Sequence, residues 1–410
     1  MKFRDYQIEI IDKSHTVLEA HRFVYLSMEV RTGKTLTAMG VATKLGIKNL
    51  LFVTKKKAIS SISADYKKLN PKYDLTVINY ESLHKVEGVF DLIVLDEAHT
   101  LGAYPKPSKR TKLIKQMISK QKPYVILMSG TPTPESFSQM YHQVYACPSS
   151  PFKHHVSFYK FAKEYVNVTQ RVIKSFPLNN YDDGKQSILD EMKPYMISYT
   201  QKEAGFKSQI KEHVLKVKMS DLTYRFVKEM REHSVIEGKK TDDAILGDTG
   251  VKKMSKIHQL FSGTVKLENG KRMITDLSKA KFIRTEFKNQ KIGIFYKFKA
   301  EYEALKQVYG DALTDDLEEF DTTTKSIALQ IVSGREGISL KKADCLVYYN
   351  IDFSALSYWQ SRDRMTTKDS TASDVYWIFA EKGIETKIYK TVTKKKDYTL
   401  KHFEKDLLSL

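Results

Sequence analysis

The sequence predicts an α/β protein: two open parallel sheets, each with helices on both faces, and a mainly helical insertion between them. Three observations predict it. Short, unbroken apolar runs alternate with helical patterns at the start of the chain, and the same alternation returns at its end. Those runs lack polar alternation, as strands buried on both faces of a parallel sheet should. The stretch between them has few such runs and is rich in Lys, Tyr and Phe. The expected boundaries are 1–145 for the first sheet domain, 146–285 for the insertion and connection, and 286–410 for the second sheet domain. A chain of 410 residues has room for this, because single cores stop growing at about 250–300 residues.

In the first domain Phe23–Met28, Leu50–Val53, Leu75–Ile78, Leu92–Leu95 and Tyr124–Met128 read as strands. Thr35–Lys44 and Ala58–Lys68 read as helices between them. In the insertion the turn formers Asn179-Asn180-Tyr181-Asp182-Asp183-Gly184 and Gly247-Asp248-Thr249-Gly250 interrupt helical patterns. One segment there, 213–219, alternates as a half-buried strand does. Ile292–Tyr296, Ile327–Val332, Leu346–Tyr349 and Val375–Phe379 supply the second sheet, and Lys394-Lys395-Lys396 reads as a solvated helix face. Ligands of open parallel sheets gather beyond the carboxyl ends of the strands.

Composition narrows the partners. The formal charge of +19 draws polyanions. Phosphate contacts supply most non-specific nucleic-acid affinity, so nucleic acid is the expected partner, bound with weak sequence preference and strong salt dependence. No zinc-finger, recognition-helix or aromatic RNA-binding pattern occurs. The longest apolar runs fall short of the roughly 18 residues of a membrane span, and Met1-Lys2-Phe3-Arg4-Asp5 opens without an apolar signal core. Cys147 and Cys345 are the only cysteines, which supports neither a disulfide framework nor a cysteine-rich zinc site. A reducing, cytoplasmic setting is expected.

Two motifs sit where buried strands should stop. Glu29-Val30-Arg31-Thr32-Gly33-Lys34-Thr35 ends in the Gly-Lys-Thr of a phosphate loop, although Met28 stands where the full pattern has glycine. Backbone N–H groups at a helix N-terminus attract phosphate oxygens. Lys34 would hold the outer phosphates and the Thr35 hydroxyl a magnesium ion. Asp96-Glu97-Ala98-His99 follows Leu92-Ile93-Val94-Leu95. There Asp96 would hold Mg2+, partly through water, and Glu97 would orient and deprotonate the attacking water. The pair predicts hydrolysis of a nucleoside triphosphate with Mg2+.

These residues resemble those of superfamily 2 helicases and translocases, most closely the Swi/Snf-type group that moves on double-stranded DNA. The resemblance runs over nearly the whole chain and implies two tandem RecA-like domains and ATP as the nucleotide. Phe3-Arg4-Asp5-Tyr6-Gln7 resembles the adenine-reading motif, which implies nucleotide contacts for Arg4 and Gln7, as the phosphate loop implies for Thr32 and Gly33. Leu51-Phe52-Val53-Thr54-Lys55-Lys56 resembles the first nucleic-acid-contacting motif, implying Thr54, Lys55 and Lys56 as contacts. Val77-Ile78-Asn79-Tyr80-Glu81-Ser82-Leu83 resembles the segment before the acidic box, and Ser129-Gly130-Thr131-Pro132 the motif that couples hydrolysis to movement. His99, Ser129, Gly130 and Thr131 are thereby implied as coupling residues. Met192–Thr200 resembles the segment leading toward the second lobe, but without its arginines. Lys291–Phe298 and the glycine-rich Ser333–Leu340 resemble second-lobe motifs, implying Lys297 and Arg335 as nucleic-acid contacts and Gly337 as a nucleotide contact. Val375-Tyr376-Trp377-Ile378 followed by Gly383-Ile384-Glu385 resembles the closing strand and helix.

The last catalytic motif departs from the family pattern. Gln360, Asp363 and Arg364 match it, but the second arginine, the finger on the transferring phosphoryl group, falls on Thr367. Such a finger is worth about 10³–10⁵ in rate. Arg364 is the first candidate for its role, Arg362 the second, and Lys368 a weaker point charge. The implied cycle clamps ATP between two lobes, with Gln360, Arg362 and Arg364 from the second, and steps along DNA in bacterial or phage replication, recombination or repair. The alternatives are a strand-separating or branch-migrating fork helicase, and a nucleic-acid-binding scaffold with weak ATPase.

Overall fold

The computed structural model describes residues 2–173, 176–205, 209–237, 244–331, 340, 342–355, 357–358, 372–394 and 406. They form two compact units, Met1–Gly205 and Phe206–Leu410.

In the first unit, α1 (Asp5–His21) precedes β1 (Phe23–Met28), and α2 (Lys34–Leu45) and α3 (Ile59–Leu69) flank β2 (Asn49–Thr54). Then come β3 (Asp74–Asn79), β4 (Leu92–Asp96), α4 (Lys109–Gln121), β5 (Tyr124–Met128), α5 (Met140–Val144) and α6 (Phe158–Tyr165). The hairpin of β6 (Thr169–Ile173) and β7 (Phe176–Asn180), α7 (Ser187–Met192) and β8 (Met196–Tyr199) complete it. Six strands make one parallel sheet in the order β3-β2-β4-β5-β1-β8.

Alternate residues of the central strands feed two separate cores. Phe23, Tyr25, Leu51, Val53, Ile93 and Leu95 enter one, packed with Ile114, Ile118 and Phe161. Val24, Leu26, Met28, Leu50, Phe52 and Val94 enter the other, against Ile10, Leu18, Met39 and Val41 of α1 and α2. Each such side chain contributes about 1.5–3 kcal/mol on full burial. Burial on both faces is why these strands read as unbroken apolar runs. The close approach of α1 to α2 needs Gly40, since a Cβ there would lie 2.4 Å from Ile11 Cδ1.

The second unit holds β9 (Gln209–Val217), α8 (Asp221–His233), β10 (Val235–Ile236), β11 (Ile245–Leu246), α9 (Gly250–Phe261), β12 (Thr264–Lys266), β13 (Arg272–Ile274) and α10 (Ser278–Glu286). It continues with β14 (Ile292–Tyr296), α11 (Lys299–Tyr309), β15 (Leu313–Thr314), α12 (Leu317–Thr322), β16 (Ser326–Gln330), β17 (Cys345–Tyr348), β18 (Ala372–Ala380) and a closing helix, Glu385–Val392. Its parallel sheet runs β15-β16-β14-β17-β18-β9. Two tandem RecA-like α/β domains are therefore present. Serine and threonine caps start the helices between: Ser220 Oγ accepts from Thr223 N, and Thr249 Oγ1 from Lys252 N in the predicted turn.

The stretch 146–285 contributes to both units. Its residues to 205 belong to the first unit, where β8 pairs with β1; those from 209 belong to the second, where β9 pairs with β18 along its whole length. Both are edge strands with one paired side, and edge strands carry no doubly buried run for a sequence reading to find. No helix among the described residues is long and apolar enough to cross a membrane.

Candidate active site

The phosphate loop connects β1 to α2 at the carboxyl end of the first sheet. Met28 is still strand here, paired with Tyr199, so extended backbone stands where glycine was the pattern. The turn is made later. Arg31 has φ 63° and Gly33 φ 81°, both left-handed, and Thr32 Oγ1 donates to Glu29 O at 2.7 Å. Gly33 is required twice over: by its φ, and because a Cβ would meet Gln7 Nε2 at 2.5 Å. The Lys34 ammonium is held over the loop by Met28 O at 2.9 Å and Glu29 O at 3.2 Å. Thr35 follows in the first turn of α2, where free N–H groups and the helix dipole favour anions.

Neighbours brace this loop from both sides. Gln7 is buried; its Nε2 donates to Gly33 O at 3.3 Å and its Oε1 accepts from Arg4 N at 3.0 Å. Arg4 itself is exposed, and its guanidinium donates to Tyr6 Oη at 2.9 Å. Tyr6 Oη in turn donates to Thr32 O at 3.1 Å, and its ring stacks on Tyr199 at 4.8 Å. Past β8, Gln201 N donates to Glu29 Oε2 at 2.7 Å and Gln201 Nε2 to Val30 O at 2.9 Å. Tyr6 and Gln201 were not foreseen, and no local motif marks Gln201, which lies far along the chain from the loop it holds.

The acidic box ends β4. Burial, with repulsion from Glu97 added, pushes the Asp96 carboxyl up to about 6, although the Thr54 hydroxyl and Lys34 pull the other way. Thr54 Oγ1 donates to Asp96 Oδ2 at 2.8 Å, and Tyr80 Oη to Asp96 O at 2.6 Å. Glu97 has φ 50°, a left-handed conformation that costs a non-glycine residue about 1–2 kcal/mol. Strain of this kind gathers at functional sites. From Glu97 a polar chain runs to the next motif. His99, itself buried, has Nδ1 3.2 Å from Glu97 Oε2 and 2.9 Å from Ser129 Oγ, and Ser129 Oγ accepts from Thr131 N at 3.1 Å. Gly130 lies between, where a Cβ would stand 3.3 Å from Met28 O.

This donor set fits a hard divalent cation. Two adjacent carboxylates, one already resisting its negative charge, gain from a cation beside them, and oxygen donors suit Mg2+.

Other expected residues stand differently. Thr54 is fully buried and its hydroxyl is turned to Asp96. Lys297 Nζ is 2.8 Å from Asp352 Oδ1, with both side chains largely buried, and lies 3.8 Å from the centroid of Phe353, so in this structure it forms an internal ion pair. Lys55 is half-buried and Lys56 exposed, just past β2. Arg335, Gly337, Gln360, Arg362, Arg364, Thr367 and Lys368 lie outside the described residues.

Comparison with known proteins gives one family match and two structural likenesses. The family model described as the SNF2-related domain matches residues 34–273. A solved structure of the Sulfolobus solfataricus SWI2/SNF2 ATPase core in complex with dsDNA is 16% identical, over 100% of this chain and 93% of that one, with a TM-score of 0.44. The structure of the same organism's SWI2/SNF2 ATPase core domain is 15% identical, over 96% and 89%, also with a TM-score of 0.44. No curated protein matches the sequence.

Proposed function

The chain belongs to the family of SNF2-related domains, and from that premise we propose that it is a translocase on duplex DNA driven by ATP hydrolysis in its first unit. Membership makes it a nucleic-acid-dependent ATPase. The observation that carries the reading is the convergence of Lys34, Asp96 and Glu97 at the carboxyl ends of β1 and β4, with Lys34 near enough to pull on the Asp96 carboxyl.

The roles follow from position. Lys34 and the N-terminus of α2 bind the phosphates, with Thr32 and Gly33 shaping the loop. Gln7 and Arg4, bonded to each other and to the loop, read the base. Thr35 and Asp96 would hold Mg2+, which when bound neutralises charge on the phosphates. Thr54 aims Asp96. Glu97 takes the proton of the attacking water. His99 carries the change at Glu97 to the Ser129-Gly130-Thr131 turn, which couples it to movement. Gln360 and Arg364 are proposed for the transferring phosphoryl group, with Gly337, Arg362 and Lys368 as further candidates. Lys55, Lys56 and Arg335 are the phosphate contacts on DNA, and the excess of basic residues supports them. The motif resemblance points to replication, recombination or repair of bacterial or phage DNA as the setting.

The test compares ATPase rates with blunt duplex DNA, single strands, forked DNA and RNA. Strongest stimulation by blunt duplex is expected. Stimulation by single strands alone would replace the translocase with a strand-separating helicase, and no stimulation by any of them would leave a binding scaffold.

A further inference from the structure

Away from the phosphate loop, His154 and His155 lie just before α6, and Glu164 sits in its last turn. One ligand atom from each of the three lies within 4.8 Å of the others. His155 is only 8% exposed. Its Nε2 is buried and makes no hydrogen bond, although Glu164 Oε2 is 3.3 Å away. A buried polar atom left so is destabilising unless something else engages it. The ring is not free to escape to water: it packs edge-on against Tyr165 at 5.6 Å and Phe161 at 6.0 Å. Its main chain is pinned as well, since His155 N donates to Phe152 O at 3.1 Å and His155 O accepts from Tyr141 Oη at 2.6 Å.

We propose that His154, His155 and Glu164 bind one divalent transition-metal ion of the Zn2+ class. Two imidazole nitrogens and one carboxylate favour Zn2+, Co2+ or Ni2+ over Mg2+ or Ca2+, which prefer oxygen alone. Three protein ligands leave a fourth tetrahedral position for water. Zinc–ligand bonds of about 2.0–2.2 Å put tetrahedral donors about 3.4 Å apart. The present spread closes to that by rotation of His154 and Glu164, both exposed. The bound ion would clip the turn before α6 to the end of that helix, whose Glu164 O already accepts from Lys185 Nζ at 2.6 Å.

The test titrates Zn2+ alone into the nucleotide-free full chain against a chromophoric chelator, for the wild type and for His154→Ala/Glu164→Gln. Both substituted residues are exposed, so the fold should survive, which a thermal melt without metal checks. One ion per chain is expected, bound about tenfold or more tighter by the wild type than by the double variant. Zn2+, and not Mg2+, should raise the melting temperature of the wild type only. Equal affinity in the two proteins, no binding by the wild type, or an equal effect of Mg2+ would reduce the trio to an ordinary histidine–glutamate pair and overturn the proposal.

Discussion

In the first unit, the carboxylate that ends β4 stands beside a second carboxylate; in the second unit, the carboxylate just past β17 stands beside a lysine. Asp96 is pushed up by burial and by Glu97. At Asp352 burial pushes the same way, yet Lys297 together with hydrogen bonds from Ser357 and the Phe353 N–H outweighs it and the carboxyl ends low. Burial also pulls the Lys297 ammonium down, and Asp352 restores it only in part. The 2.8 Å contact still favours the ionised pair, because discharging one partner strands the other in the core. Deeper in the second unit Lys279 Nζ is 2.6 Å from Glu385 Oε1 with neither side chain exposed, and Glu301 accepts from Asn350 Nδ2 at 2.6 Å and from Lys297 N at 2.7 Å. The same architecture thus treats buried acid groups in two ways. Where each carboxylate has its cation or donor, the group is structural. Where two carboxylates crowd at a strand end, their mutual repulsion is what a cation from outside would relieve.

The largest effect on folding should come from breaking a matched pair. Lys279→Ala leaves Glu385 charged and alone in the core, and should cost about 3–5 kcal/mol in urea unfolding. A cost below about 1 kcal/mol would show that this pair is not what the second unit rests on. A buried histidine held neutral beside a lysine in the first unit offers a contrast. His142 Nε2 donates to Pro105 O at 2.9 Å, so its Nδ1 accepts from Lys115 Nζ at 2.8 Å. Burial, with Lys115 adding, holds the His142 pKa down to about 4. A histidine depressed on folding contributes stability that is complete above its unfolded pKa of about 6.5 and is lost as pH falls toward 4. Up to about 3 kcal/mol should disappear over that window, read as the difference between wild type and His142→Gln. Lys115, pulled down to about 8 by burial, titrates above the window and does not disturb the reading. A flat difference from pH 7 to 4 would mean that His142 is not held neutral. The smallest effect belongs to Thr54→Val. It removes one hydroxyl from Asp96 and should cost about 0.5–1.5 kcal/mol, read as weaker Mg2+-dependent ATPase with DNA affinity unchanged. Loss of DNA affinity instead would return Thr54 to the nucleic-acid interface.

The contrast also explains what could be read from the sequence. Central strands such as Phe23–Met28 and Ile292–Tyr296 were legible to the residue, because both faces are buried and apolar residues dominate them, with Ser27 the one small polar exception in the first. The strand ends were legible as well, since Gly33-Lys34 and Asp96-Glu97 are local motifs. What escaped was non-local. Tyr199 and Gln201 reach the phosphate loop only because β8 adds to the sheet edge. Thr54 and Lys297 each follow or end a strand, as a phosphate contact would. Only the neighbouring strand shows that one faces Asp96 and the other Asp352.

The most direct measurement is ATP turnover by Glu97→Gln in the presence of duplex DNA, with nucleotide binding followed separately. In the proposed role Glu97 takes the proton of the attacking water and contributes little to binding, so turnover should fall by about 10²–10⁴ while ATP still binds. Turnover within about twofold of wild type, with binding intact, would contradict the placement of catalysis at the end of β4.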